Sequence, residues 1–348
     1  MVFNIRTDRL IIRAVTASDA PALAARRSDP EVAKYQDWSL PFTLADADRI
    51  CEAVAALVEP PDDEWFMATI TRHDGEILGD FGMQLGFSGR TAEIGYTFAR
   101  DQWGNGFAVE AVGALVDHLL FERSVQRVGA TLHPDNIRSA HVLERSGFLF
   151  EGQTRRSHWD DEGSTDAWIY GLTREDRTDW RVRPRESPRE VRLVPITPDN
   201  DIAVRSLATH HSQIRFASPV LKSFADALVP EVIDGAPVVP WYRAVEADGQ
   251  LVAFLMLTEI TDAHPEPFLW RLLVDRRHQR RGIGTRVLEL VVDQCLEWGA
   301  SSMSTTWVEG NGSPRPLYEG FGFVPTGELI EGETEGRLRF DTLDTTAP

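Results

Sequence analysis

Two short glycine loops are the first places in this chain where residue type and spacing could do chemistry. One is Gly104-Asn105-Gly106 in "DQWGNGFAVE", and the other is Gly282-Ile283-Gly284 in "DRRHQRRGIGT". Each follows an apolar run that reads as a strand and opens an amphipathic helical pattern. A strand that ends in glycines and starts a helix gathers unpaired main-chain N–H groups at one point. The helix dipole adds partial positive charge there, so the turn suits phosphate. Arg276, Arg277, Arg280 and Arg281 crowd the second loop and could add charge-assisted contacts to a polyanion, whereas "DQWGNGFAVE" contains no arginine. The plain alternative is a tight strand-to-helix turn with solvated arginines.

The elements around the loops occur twice. The step from Gly106 to Gly282 is 176 positions; Asn136 to Asn311, Leu143 to Tyr318 and Gly147 to Gly322 are each 175. A constant offset across separated landmarks is the mark of duplication. Each half opens with an extended segment ("RLIIRAV"; "VRLVPI") and continues into helical segments. Alternating strands with an Asp-Gly turn follow, then a strand into the glycine loop and helix. A further strand, a short helix and closing strands complete each half. This order predicts an α/β (α+β) fold of two tandem domains. Each would be a mixed, mostly antiparallel sheet flanked by helices, with parallel pairing at the loop-helix crossover. Domains are expected at 1–175 and 191–348. The segment "TREDRTDWRVRPRESPRE" shows no hydrophobic period, and 176–190 is expected to be a linker.

Composition narrows the function classes. The chain has 348 residues, enough for two cores, and its 54 acidic and 36 basic residues give a net charge of −18. That balance argues against a nucleic-acid partner and suits a cationic ligand, or serves solubility alone. No apolar run is long enough for a membrane span, and two cysteines indicate no disulfide framework, so a cytoplasmic protein is expected. No His/Cys cluster has metal-ligand spacing, and no metal is expected.

Two phosphate families fail on these loops. The string G-x-x-x-x-G-K-[ST] is absent, and Val109 and Val287 stand where a dinucleotide fingerprint needs a small residue. Gln279-x-x-Gly282-x-Gly284, followed by Asn311, Tyr318 and "LYEGFGFVPTGE", resembles the GCN5-related N-acetyltransferase (GNAT) family. The second half is similar to its small-molecule and polyamine branch. "WGNGFAVEA" with "NIRSAHVLERSGF" resembles the ribosomal-protein-alanine acetyltransferase branch of the same superfamily.

The resemblance implies an acetyl-CoA-dependent transfer of an acetyl group to a primary amine by direct attack. It places Leu273 and Val274 beside the pantetheine arm and Gln279, Arg280, Arg281, Gly282, Ile283 and Gly284 at the pyrophosphate, with Asn311 on the arm. Trp103, Gly104, Asn105, Gly106, Ala108 and Asn136 are their counterparts in the first half. Tyr318 matches the family's acid: a phenol, with an ordinary pKa of about 10, can hydrogen-bond to a departing thiolate and supply a proton. Leu143 at the matching position of the first half cannot. Ser139 is the hydroxyl that branch offers as thiol partner, or else a helix cap. Glu93 is a candidate general base or an exposed strand carboxylate. Glu259, Glu309, His133 and His264 are weaker candidates. The acceptor expected is an amine, in the second half a cationic small molecule. The rival is a regulatory or scaffold protein that holds CoA without turnover. A homodimer is left open.

Overall fold

The computed structural model describes residues 3–160, 163–233 and 235–342. The chain divides into two compact units, Met1–Val182 and Arg183–Pro348.

In the amino-terminal unit, strands β1 (Asn4–Arg6) and β2 (Leu10–Ala14) lead to helices α1 (Ala20–Arg27), α2 (Pro30–Ala33) and α3 (Leu44–Val54). Strands β3 (Trp65–Arg72), β4 (Ile77–Gly86) and β5 (Thr91–Phe98) follow, then helix α4 (Phe107–Asp117), β6 (Arg127–Leu132) and α5 (Ile137–Arg145). Strands β7 (Leu149–Asp160) and β8 (Gly163–Thr173) and helix α6 (Arg174–Val182) close the unit. The carboxy-terminal unit holds β9 (Val191–Val194), α7 (Asp201–Arg205), α8 (Val220–Leu228) and a small hairpin, β10 (Val232–Ile233) with β11 (Ala236–Pro237). It continues with β12 (Pro240–Ala247), β13 (Gln250–Thr258), β14 (Phe268–Val274), α9 (Ile283–Glu297), β15 (Ser302–Trp307), α10 (Arg315–Phe321), β16 (Val324–Ile330) and β17 (Glu333–Arg339).

The two sheets share one order. The first runs β1-β2-β3-β4-β5-β6-β8-β7, and the second, read from its other edge, runs β9-β12-β13-β14-β15-β17-β16. Neighbours are antiparallel except β5 with β6 and β14 with β15. Those two parallel pairs need a crossover, and α4 and α9 supply it. The expected Asp-Gly turns sit at Asp74-Gly75 and Asp248-Gly249, where Gly75, Asp248 and Gly249 all have positive φ.

Each sheet buries both faces. One face of the first packs on Phe107, Ala111, Val112 and Leu115 of α4; the other meets Leu23, Ala47 and Cys51 of α1 and α3. In the second unit Ile283, Val287, Leu288 and Val291 of α9 cover one face. Val220 of α8 and Val204 of α7 join Phe254, Met256 and Leu273 on the other. Apolar residues at i, i+4, i+5 and i+8 make the stripe a buried helix face requires.

The stretch without a hydrophobic period still forms a helix over its first half. In α6 only Arg177 and Trp180 are buried among mostly charged neighbours. Arg177 pairs with Asp117 at 2.8 Å and donates to the Ser146 carbonyl at 2.8 Å; Trp180 covers Gly147. Periodicity of apolar residues cannot reveal a helix held by an ion pair and one indole. Among the described residues no helix is long and apolar enough to cross a membrane.

Candidate active sites

The two parallel strand pairs come apart early. Pairing of β5 with β6 ends at Glu93↔Gly129, although β5 continues to Phe98. Pairing of β14 with β15 ends at Leu269↔Thr305, although β14 continues to Val274. Each strand therefore diverges from its parallel neighbour over its last five residues while its other edge stays paired to β4 or β13. The diverging edge of β14 includes Leu273 and Val274 and offers main-chain groups to an extended ligand.

At the open end of each cleft stands a glycine loop. Gly104 and Gly106 have φ of 78° and 77°, and Gly282 has 76°. Gly106 and Gly282 are the N-caps of α4 and α9, and neither helix start receives a side-chain cap. The first amides of both helices thus point outward, and a Cβ at Gly104 would meet nothing within 4 Å. Gly284 serves packing as well: a Cβ there would lie 3.0 Å from Leu317. Ile283 is buried in the core of the carboxy-terminal unit and Ala108 packs against that of the amino-terminal unit, so each contributes at its own loop through its main chain.

Trp103 and Gln279 are not bare ligand contacts. Trp103 Nε1 donates to the Phe98 carbonyl at 3.0 Å, and Gln279 Nε2 to the Val274 carbonyl at 3.1 Å. Gln279 also exchanges hydrogen bonds with Gln213. Asn105 is tied into its turn through Nδ2 to the Gln102 carbonyl at 3.2 Å.

The arginines divide by role. Arg277 lies 3.2 Å from the buried Asp275 carboxylate. Arg281 is only 6% exposed; it donates to the Glu186 carbonyl at 2.8 Å and lies 2.9 Å from His278 Nδ1. Its side chain is thus spent on holding the segment before β9 onto the loop. Arg280, exposed and at φ 63°, keeps its charge at the surface. The first loop, without arginine in sequence, gains it in space. Arg9 Nη1 donates to the Asn105 carbonyl at 3.0 Å and its guanidinium lies over Phe107; Arg138 lies over the Trp103 ring at 4.8 Å. Sequence reading missed both, because each comes from another element.

Deeper in the first cleft, Asn136 Oδ1 caps α5 by accepting from the Ser139 amide at 3.2 Å. Asn136, not Ser139, is therefore the cap, and the Ser139 hydroxyl is 2.9 Å from the Tyr96 hydroxyl. Leu143 is buried in the core. Glu93 is half-buried on the opposite face of β5 and accepts from Thr131 at 3.1 Å. Its carboxylate lies over Gly129, where a Cβ would be 2.6 Å from Oε2. Burial pushes the Glu93 carboxyl up, against the pull of Thr131 and Arg127. A cavity of about 400 Å³ opens beside it, lined among others by Asp63, Gln84, Phe87 and Arg127.

In the second cleft Tyr318 is buried between Trp307 and Phe323. Its hydroxyl meets that of Thr305, the last residue of β15 paired to β14. Burial pushes the phenol up to about 12, while Thr305 and Arg271 pull the other way. Asn311 is exposed, and its carbonyl lies 3.4 Å from Arg215. Glu309 is taken up by Trp307, Arg315 and Thr334 at 3.0–3.1 Å, which leaves it poorly placed as a base. His133 stacks on Tyr35, and His264 Nε2 meets the Ile233 carbonyl. Among the described residues no three His, Cys, Asp or Glu side chains could hold a metal together.

Comparison with known proteins gives the family of both domains. An acetyltransferase (GNAT) domain model matches residues 9–149, and an acetyltransferase (GNAT) family model matches residues 207–323. The chain is 31% identical over 184 residues to an uncharacterised N-acetyltransferase of Bacillus subtilis, YoaA, covering 52% of this chain and 98% of that one. It is 34% identical over 152 residues to another uncharacterised N-acetyltransferase, p20 of Bacillus licheniformis, covering 43% and 84%. Among solved structures, a GNAT-family acetyltransferase from Bacillus anthracis covers 50% of this chain and 99% of its own, at 24% identity and a TM-score of 0.46.

Proposed function

Since the chain belongs to the GNAT family, an N-acetyltransferase family whose acetyl donor is acetyl-CoA, we propose that it moves the acetyl group to a primary amine by direct attack. The carboxy-terminal unit is the better-equipped catalyst. The observation that carries this reading is the Tyr318 hydroxyl, buried with Thr305 where β14 and β15 part.

The residues fit the donor. Outward amides at Gly282 to Gly284 and at Gly104 to Gly106 suit its pyrophosphate, and the diverging strands suit an extended arm. Bound acetyl-CoA supplies the thioester. In the transfer a nitrogen–carbon bond forms and the carbon–sulfur bond breaks. In the amino-terminal unit Glu93 takes the amine's proton from the cavity side. Tyr318, still protonated because its phenol is pushed up, donates to the sulfur of the second unit. At the cavity the carboxylates of Asp63 and Glu93 outweigh the single cation Arg127, which favours a cationic acceptor. Both cysteines are free and buried, which fits the cytoplasm we assign.

Thiol release from acetyl-CoA over a panel of polyamines, amino acids and peptides tests this. At least one amine should support release, and Tyr318→Phe should lower kcat about 100-fold with the KM for acetyl-CoA little changed. CoA binding without release for any amine would favour the regulatory alternative.

A further inference from the structure

The first cleft contains a phenol that the chemistry above does not use. Tyr96 lies on the diverging part of β5, beyond the last β6 pair at Glu93. Three residues from Glu93 along a strand, it faces the opposite side of the sheet. There it packs on the core beside Phe81, and its hydroxyl lies 2.9 Å from Ser139 Oγ and 3.1 Å from the Ser139 carbonyl.

Position by position, the two units exchange this group. Trp103 bonds the Phe98 carbonyl as Gln279 bonds the Val274 carbonyl, so the strands superpose by the 176-residue step of their loops. That step takes Tyr96 to Leu272. The Phe148 amide donates to the Leu143 carbonyl as the Phe323 amide donates to that of Tyr318, each at 3.0 Å, so the short helices correspond by 175. That step takes Leu143 to Tyr318 and Ser139 to Pro314. One unit has strand Tyr, helix Ser and helix Leu; the other has Leu, Pro and Tyr. Each cleft keeps one phenol on the helix side of its diverging strand, supplied from a different element.

We propose that Tyr96 is the positioning residue of the amino-terminal unit, acting through Ser139 to hold the departing thiolate, and that it replaces the phenol lost at Leu143. The inference rests on the acetyl-transfer reading of this cleft. When the carbon–sulfur bond breaks, the sulfur keeps the electron pair. The Tyr96 O–H donates to Ser139 Oγ and frees the Ser139 hydrogen for the sulfur. The amine's proton goes to Glu93 on the other face, and the thiolate takes its proton from water on release. Burial pushes the Tyr96 phenol up, so it stays a donor throughout the working range. Other polar groups on that side are the Tyr170 hydroxyl, which donates to buried Glu144 at 3.0 Å, and Arg138 over Trp103.

The test needs no acceptor. CoA is bound to the full chain, and ionisation of its thiol is followed by ultraviolet thiolate absorbance against pH. The difference between wild type and a variant altered only in this cleft reports on this unit. In Tyr96→Phe the proton affinity of the bound thiolate should rise about tenfold, because the Ser139 hydroxyl loses the partner that turns its hydrogen to the sulfur. Ser139→Ala should do the same, and the double variant should add nothing further, because the two hydroxyls act in series. An unchanged titration in Tyr96→Phe, or an additive double variant, in a chain that still binds two CoA overturns the proposal alone. A wild-type chain that binds one CoA, undisturbed by Gly104→Val, overturns it together with the reading beneath it.

Discussion

Trp103 and Gln279 hold corresponding places and make the same contact. Each sends a side-chain N–H back to the carbonyl of its strand's last residue, at 3.0 and 3.1 Å. An indole and a carboxamide share no shape, but each can carry one donor across five residues. The bond closes the turn after the strand and fixes where the first helical amides point. What the two units share at this position is therefore a hydrogen bond that orients an anion site.

Glu93 gives the first prediction. Burial holds its carboxyl above the ordinary range, and only the ionised form can take a proton. With the second unit silenced by Tyr318→Phe, kcat/KM should fall on acidification at a pH above the ordinary glutamate value of about 4.3. Arg127 favours the carboxylate, so Arg127→Met should move that fall to higher pH still. Glu93→Gln should remove the acidic limb and lower kcat/KM by about 10²- to 10⁴-fold. A limb unchanged in Glu93→Gln would assign the base elsewhere.

The two neighbouring arginines should separate by measurement. Arg280→Ala should leave the melting temperature alone, weaken CoA binding several-fold and reduce its dependence on salt, since an exposed charge acts through screened attraction. Arg281→Met strips the Glu186 carbonyl and His278 of a buried partner and should cost about 1–3 kcal/mol of stability. Calorimetric CoA titrations at two ionic strengths, with thermal melts, check both. Equal effects on binding would show that burial does not sort these residues.

What could be read in the sequence was whatever the backbone imposes. Gly104, Gly106 and Gly282 have positive φ, a conformation costly for other residues, so their spacing announces the turns. The succession of elements and the parallel pair at each crossover followed from alternation and the repeated layout. Side-chain partnerships across the fold left no such trace. Arg9 and Arg138 reach the first loop from β1-β2 and α5, and nothing in "DQWGNGFAVE" points to them. Arg281 looked like its neighbours because its partner is a main-chain carbonyl, which has no sequence signature. Tyr96 occupied one position of an alternating strand; only the substitution of Leu272 at the matching step could have singled it out.

Arg26 and Asp80 join α1 to the strand beside Tyr96, and they give the last prediction. Both are buried; Arg26 Nε lies 2.9 Å from Asp80 Oδ1, and Thr97 adds a bond to the same oxygen at 2.6 Å. Burial opposes the Asp80 charge, yet Arg26, Arg27 and Thr97 hold its carboxyl below the usual range. A carboxyl depressed in the folded state contributes stability that is present above its unfolded value, about 3.9, and is lost as pH falls through the folded value. Asp80→Asn leaves the buried Arg26 guanidinium, and the half-buried Arg27 beside it, without their counter-charge and should cost about 3–5 kcal/mol at pH 7. Below pH 4 the wild type should lose its advantage and the urea midpoints of the two proteins should converge. Midpoints that already coincide at pH 7 would mean that Asp80 does not hold α1 to the sheet.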